Sequence, residues 1–206
     1  MSVKPIRVAL IPAHQPDETL LALVRELSLR DFFLIVVNDG SDADCEPLFA
    51  EVERSAVVLS HHEPQGRGAA LRTGLDYLRA HFPFHYTAVT IDANGRHRIC
   101  DAEHLCRVAE ENRDALVWGA RMFGRKTPLK VRLGNSLQCL AVRLSTGISV
   151  RDTGSGLCAF SDSLTAKMLE ASTDKGDFDR EILRCCARSH FPVPQVKVRN
   201  QDIGDN

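Results

Sequence analysis

The chain has 206 residues, a formal net charge of -1, 44% hydrophobic and 26% charged residues. That length supports one domain with a sheet covered on both faces, and the near-neutral balance gives no support for nucleic-acid binding, which shows as a basic excess. Seven cysteines contain no CxxC pair and no Cys/His spacing suited to zinc, so they read as reduced thiols in a cytosolic protein.

Residues 6–11 (Ile-Arg-Val-Ala-Leu-Ile) read as a buried strand closed by Pro12, and Leu20, Leu21, Val24 and Leu27 share one face of a helix over 17–29. Phe33–Val37 is a second strand ended by Asn38-Asp39-Gly40-Ser41, a turn leading into a short helix to about Glu53. Ala56–Leu59 is a third strand. Gln65-Gly-Arg-Gly-Ala-Ala-Leu71 is a glycine turn feeding a helix to about Ala80. The next strand, through Val89 and Ile91, runs into Asp92-Ala93-Asn94, and a helix from about Ala102 to Asn112 precedes the strand Ala115–Trp118. Alternation of this size means an α/β sandwich with a largely parallel sheet.

The second half begins with an amphipathic segment over 128–146, where Pro128 suits a first helical turn. Thr153-Gly-Ser-Gly156 is a turn before Leu157–Phe160, helices follow near 161–171 and 177–189, and Val196–Val198 is a short last strand. No repeat or linker divides the chain, so the expectation is a single catalytic domain over 1–206. The amino terminus lacks a signal-peptide core, and no apolar run approaches the ~18 residues that span a bilayer.

Four segments fall at the carboxyl ends of expected strands, where open α/β sheets bind ligands: Pro12-Ala13-His14, Asp39-Gly40-Ser41, Asp92-Ala93-Asn94 and Gly119-Ala120-Arg121. No GxGxxG follows the first strand, which disfavours a dinucleotide-binding dehydrogenase. Gly66-Arg67-Gly68 before a helix is a phosphate signal of low specificity. Basic residues gather at Arg121, Arg125, Lys126, Lys130 and Arg132, while His61 and His62 lie in a loop and suggest no role.

The segments IPAHQPDE, NDGS, QGRGAALRTGL, DANGRH, GAR, RLGNS and DTGSGLCAF resemble the family-2 glycosyltransferases of the dolichol-phosphate mannose synthase type, over about residues 6–200. The resemblance implies a GT-A fold, an α/β Rossmann-like sandwich with a mixed, mostly parallel central sheet flanked by helices. It implies inverting transfer of a sugar from a UDP- or GDP-linked donor. Pro12 and Ala13 would line the base pocket, Asp39 would accept from the base, and Arg67 stands at the family's usual lysine near base and phosphates. Asp92, Ala93, Asn94 and Arg96 would meet the pyrophosphate, with Asp92 and Asn94 as ligands of Mg2+ or Mn2+. Asn94 stands where the family pattern DADGQH has its second acid, and Arg96 where it has glutamine. The metal site is therefore weakened, and the Arg96 guanidinium is expected to fork onto phosphate oxygens and replace part of the cation's charge. His97 completes the pattern and supports the turn or touches the phosphates.

Arg121, Arg132 and Ser136 resemble residues that grip a lipid-phosphate acceptor, which makes a polyprenyl phosphate the favoured acceptor. The expected catalytic set is Asp92, Arg121 and Asp152. A cytoplasmic protein docked peripherally on the membrane through the basic stretch 121–132 follows from that reading. The alternative is a glycan or other hydroxyl acceptor, with Asp152 as base and Asp177 and Asp179 next in line. A non-catalytic nucleotide-sugar-binding descendant is the third reading. Asn94, Arg96 and Pro64 (at the family's N-x-G-K-G asparagine) favour it; Asp39, Asp92, Arg121 and Asp152 oppose it.

Overall fold

The apolar runs become the strands of one seven-stranded sheet in the order β3-β2-β1-β4-β6-β5-β7. A computed structural model describes residues 5–82, 85–122, 128–171 and 177–199. The strands are β1 (Ile6–Ala13), β2 (Phe32–Asn38), β3 (Val57–Ser60), β4 (Tyr86–Thr90), β5 (Val117–Arg121), β6 (Cys158–Ser161) and β7 (Gln195–Val198). Every described pairing is parallel except the two made by β6, which runs against β4 and β5. The sheet is thus mixed and mostly parallel.

Strand periodicity sends alternate side chains to opposite faces, and β1 shows the result. Val8 and Leu10 enter one core with residues of α3 (Arg67–His81), α6 (Asp162–Ala171) and α7 (Phe178–Arg188). Ala9 and Ile11 enter the other with residues of α1 (Glu18–Ser28), α2 (Glu46–Val52) and α4 (Ile99–Glu111). Burial on both faces is why the central strands are nearly continuous apolar runs. Asp17 caps α1 by accepting the Thr19 N–H at 2.9 Å. The remaining helix, α5 (Leu129–Thr146), buries Val142 alone and ends on Gly147 in the left-handed region.

Two boundaries differ from the sequence expectation for clear reasons. Pro12 does not close β1, which continues to Ala13 opposite Asn38. The Leu10 carbonyl accepts from Ile91 on the β4 side and the Ala13 carbonyl from Asp39 on the β2 side. By this alternation the missing Pro12 N–H faces the side where β4 pairing has ended. β5 starts two residues late and continues through Gly119-Ala120-Arg121. A Cβ on Gly119 would sit 2.8 Å from the Leu157 carbonyl oxygen, so the close approach to β6 needs glycine there.

All seven cysteines are free. Burial pushes the Cys106, Cys158 and Cys186 thiols up to about 12, so they are inert packing groups. Arg125 and Lys126 of the basic stretch lie outside the described residues.

Candidate active site

Parallel strands end on a common edge, and the turns after β1, β2 and β4 meet there with the end of β5. Because β6 is reversed, the segment entering it (152–157) reaches the same edge. Two adjoining cavities result. The first, about 450 Å³, is lined by Pro12, Ala13, Asp39, Arg67, Asp92, Ala93, Asn94 and Arg96 together with the 14–19 turn. The structure therefore brings together every residue expected on the donor side. The second, about 430 Å³, shares Arg67 and Asp92 and adds Gly66, Gly154, Gly156, Asp177 and Asp179. Both are of ligand size.

Asp39 is only 4% exposed, and its carboxylate is largely committed within the protein. It accepts the Gln65 and Gly66 amides at 2.9 and 2.8 Å and contacts His61 Nδ1 at 2.7 Å. Burial pushes its pKa up, but these hydrogen bonds more than offset it and hold the carboxyl below its ordinary value. Asp39 thus fastens the glycine turn that starts α3, leaving limited lone-pair capacity for a nucleobase. His61, given no role from sequence, is the other half of this joint, with Nε2 2.9 Å from Thr73 Oγ. A lone histidine carries no spacing signal, so nothing in the sequence marked it.

At the junction of the cavities Arg67 spans two acids. Nε donates to Asp92 Oδ1 at 3.0 Å, Nη1 to Asp179 Oδ1 at 3.1 Å, and Nη2 to the Gly156 carbonyl at 2.8 Å. Burial alone would lower the Arg67 pKa, yet the two carboxylates raise it overall, so the charge is permanent. Burial holds the Asp179 carboxyl above its ordinary value despite Arg67. Gly156 is required at this contact: its φ is +69°, and a Cβ would lie 2.8 Å from Asp92 Oδ2.

His97 orients Asp92 from behind. Its Nδ1 accepts the Asp92 N–H at 3.2 Å and its Nε2 lies 2.7 Å from the Ser155 carbonyl, which assigns the neutral tautomer with the proton on Nε2. Burial lowers the His97 pKa. The folded state therefore binds fewer protons than the unfolded state once pH falls below the free imidazole value near ~6.5. Stability from this group is present above that pH and declines as pH falls toward the depressed folded pKa, with a slope of at most about 1.4 kcal/mol per pH unit. Urea unfolding of wild type and His97→Gln at several pH values checks this: the wild type loses stability on acidification in this window, and the variant loses that component.

Asp152 is fully buried and faces Arg121, not solvent. It accepts Arg121 Nε at 2.7 Å, Nη2 at 2.9 Å, the Arg121 backbone amide at 3.0 Å and the Gly154 amide at 3.0 Å. Arg132 and Ser136 do not line either cavity; the Ser136 hydroxyl donates to the Arg132 carbonyl of its own helix at 2.8 Å. Asn135 between them ties α5 to the Asp152 loop, donating to the Arg151 carbonyl and accepting from the Thr153 amide.

The side chains present fit a resident divalent cation poorly. Such ions take several oxygen ligands, but Asp92 is held by Arg67, and Asn94 Oδ1 accepts the Arg96 amide at 3.1 Å. Among the described residues no group of three or more His, Cys, Asp or Glu side chains is arranged to hold a metal. Arg96 is exposed on the wall of the first cavity, so the guanidinium beside Asp92 is Arg67.

The sheet with its reversed β6, and an aspartate following the central strand β4, form the GT-A fold. The chain belongs to glycosyltransferase family 2: the model of that family, Glycosyl transferase family 2, matches residues 9–167. It is 27% identical to the UDP-N-acetylglucosamine–dolichyl-phosphate N-acetylglucosaminyltransferase of Methanococcus voltae, over 75% of this chain and 68% of that protein. It is also 27% identical to the undecaprenyl-phosphate 4-deoxy-4-formamido-L-arabinose transferase of Pseudomonas fluorescens, over 95% of this chain and 58% of that protein. Glucosyl-3-phosphoglycerate synthase from Mycobacterium tuberculosis, solved with Mn2+ and UDP-glucose, has a TM-score of 0.68 at 21% identity, covering 98% of this chain and 72% of that one. At that identity the likeness concerns the fold. Among the described residues no helix is long and apolar enough to cross a membrane.

Proposed function

We propose that the protein transfers a glycosyl group, with inversion, from a UDP- or GDP-linked sugar to a polyprenyl phosphate. The observation that carries this reading is the pair of adjoining cavities sharing Arg67 and Asp92, one walled by the donor-side residues and one open on the far side. The nucleoside diphosphate lies along Pro12, Ala13 and the 92–96 turn, and the sugar carbon faces the junction. An acceptor phosphate oxygen forms the new bond to that carbon while the bond to the donor phosphate breaks in line, which inverts the centre. The departing diphosphate carries about three negative charges and is stabilised by positive groups fixed in advance. Arg67 is the permanent cation nearest Asp92, and Arg96 is positioned for the phosphates on the cavity wall.

A lipid phosphate is largely ionised near neutral pH and needs orientation more than a base. The polyprenyl-phosphate enzymes among the relatives support that acceptor. Arg121, braced by Asp152, and Arg132 with Ser136 then act at the approach to the far cavity. A hydroxyl acceptor is the second reading, favoured by the raised Asp179 carboxyl at the junction. Asp179 serves as base better than Asp152, whose oxygens already accept four hydrogen bonds.

Incubation with labelled UDP- and GDP-sugars, offering undecaprenyl phosphate and soluble glycans in parallel, tests the proposal. Label passing into an organic-extractable product is the expected result. Transfer to the glycans alone would establish the second reading instead, and binding with neither transfer nor donor hydrolysis would defeat both.

A further inference from the structure

Helix α5 is anomalous among the helices of this fold. Leu129, Leu133, Leu137, Leu140 and Leu144 are each between 50% and 79% exposed. Single exposed leucines are ordinary, but these share a face. At about 100° per residue they fall within an arc of roughly 80°. The same helical wheel sets Lys130 along one border of the stripe and Arg132 and Arg143 along the other, all exposed. The sequence LKVRLGNSLQCLAVRLST carries no acid at any position.

We propose that this face of α5 lies in the plane of an anionic lipid surface, with its leucines in the acyl boundary and its flanking cations on the headgroups. An apolar stripe edged by Lys and Arg is the pattern of interfacial helices, and clustered basic groups select anionic lipid. Charge decides against a second copy of the chain as the occupant: pairing two such faces would oppose their cations with no acid of either helix to offset them. The functional sense of the docking rests on the lipid-acceptor reading. Asn135 fastens α5 to the Arg151 carbonyl and the Thr153 amide, and Gln138 accepts from the Thr153 hydroxyl. That loop continues to Gly154 and Gly156 on the wall of the second cavity. A membrane lying on α5 is therefore coupled to the mouth through which a headgroup phosphate would enter.

Cosedimentation of the full chain with phosphatidylcholine vesicles, with and without phosphatidylglycerol and free of polyprenyl phosphate, tests the docking. Binding to the anionic vesicles should be at least about tenfold tighter and should weaken with salt. Leu137→Glu combined with Leu144→Glu should reduce it by about tenfold or more, as should Lys130→Gln combined with Arg143→Gln. The urea midpoint and soluble donor binding of both variants should match wild type, since these side chains are exposed and outside both cavities. Equal binding to neutral and anionic vesicles, or undiminished binding by the leucine variant, would overturn the proposal. So would a concentration-dependent dimer dispersed by the same leucine substitutions. Vesicle binding without transfer to undecaprenyl phosphate leaves the docking intact and removes the acceptor reading; transfer in detergent without vesicle binding does the reverse.

Discussion

Arg67→Ala is expected to lower kcat/KM by about 10²–10³-fold, the scale associated with removing a preorganised charge that stabilises a leaving group. The wild type should keep its activity in excess chelator, because the guanidinium at 3.0 Å from Asp92 and 3.1 Å from Asp179 already supplies positive charge at the cavity junction. The substitution removes that charge and leaves the Asp92 and Asp179 carboxylates and the Gly156 carbonyl around the vacated space. Oxygen groups of this kind are what hard divalent cations bind, so added Mn2+ should recover part of the variant's activity. Arg67→Lys should fall between, since an ammonium keeps the charge but lacks the planar fork that reaches all three partners. Turnover assays with and without chelator check each statement. Wild-type activity abolished by chelation would show that Arg67 does not carry this role.

Asp152→Asn should act mainly on stability. The carboxylate is completely buried and binds Arg121 through two guanidinium nitrogens. Breaking a fully buried pair from one side costs about 3–5 kcal/mol because the remaining charge loses its partner; Arg121 is 26% exposed, so about 3 kcal/mol is expected here. At about 2–4 °C per kcal/mol for a chain of this size, a fall of roughly 10 °C in Tm follows. Below that transition the variant should retain transfer to a lipid phosphate to within about tenfold, as a brace does and a general base does not. Denaturation curves and activity at low temperature separate the two. Unchanged stability with a large loss of kcat would restore Asp152 as the base.

Much of the fold was legible because its signals are local. Apolar runs located β1, β2 and β4, and the 3.6-residue period located α1. What escaped was set by partners distant in sequence. Nothing in Cys158–Ser161 shows that it runs antiparallel between β4 and β5; that depends on the path of the preceding segment. Gly119 looks like the end of a strand and lies inside one, since only the approach of Leu157 reveals why it lacks a side chain. At the site, the residues expected around the donor do share one cavity wall. Their pairings were not readable: Arg67 is bound to Asp179, 112 positions away, and Asp39 to His61 across a loop. The exposed face of α5 was half legible, as an amphipathic pattern whose apolar side the sequence alone would bury.

The reversed strand β6 also determines how the site is divided along the chain. Walls of the first cavity all come from residues 12–96, whereas Gly154 and Gly156 of the second precede β6, and Asp177 and Asp179 stand at the start of α7, after that stretch is complete. The nucleotide side is thus one block of sequence, the far cavity sets Gly66, Arg67 and Asp92 of that block against a wall from the later one, and the Arg67–Asp179 bridge is the seam between the two blocks. Recombination between relatives at a point near α4 would exchange the later wall of the far cavity together with α5, while leaving the nucleotide side untouched. Within such a chimaera, the side chains most in need of matching are those on either side of that seam.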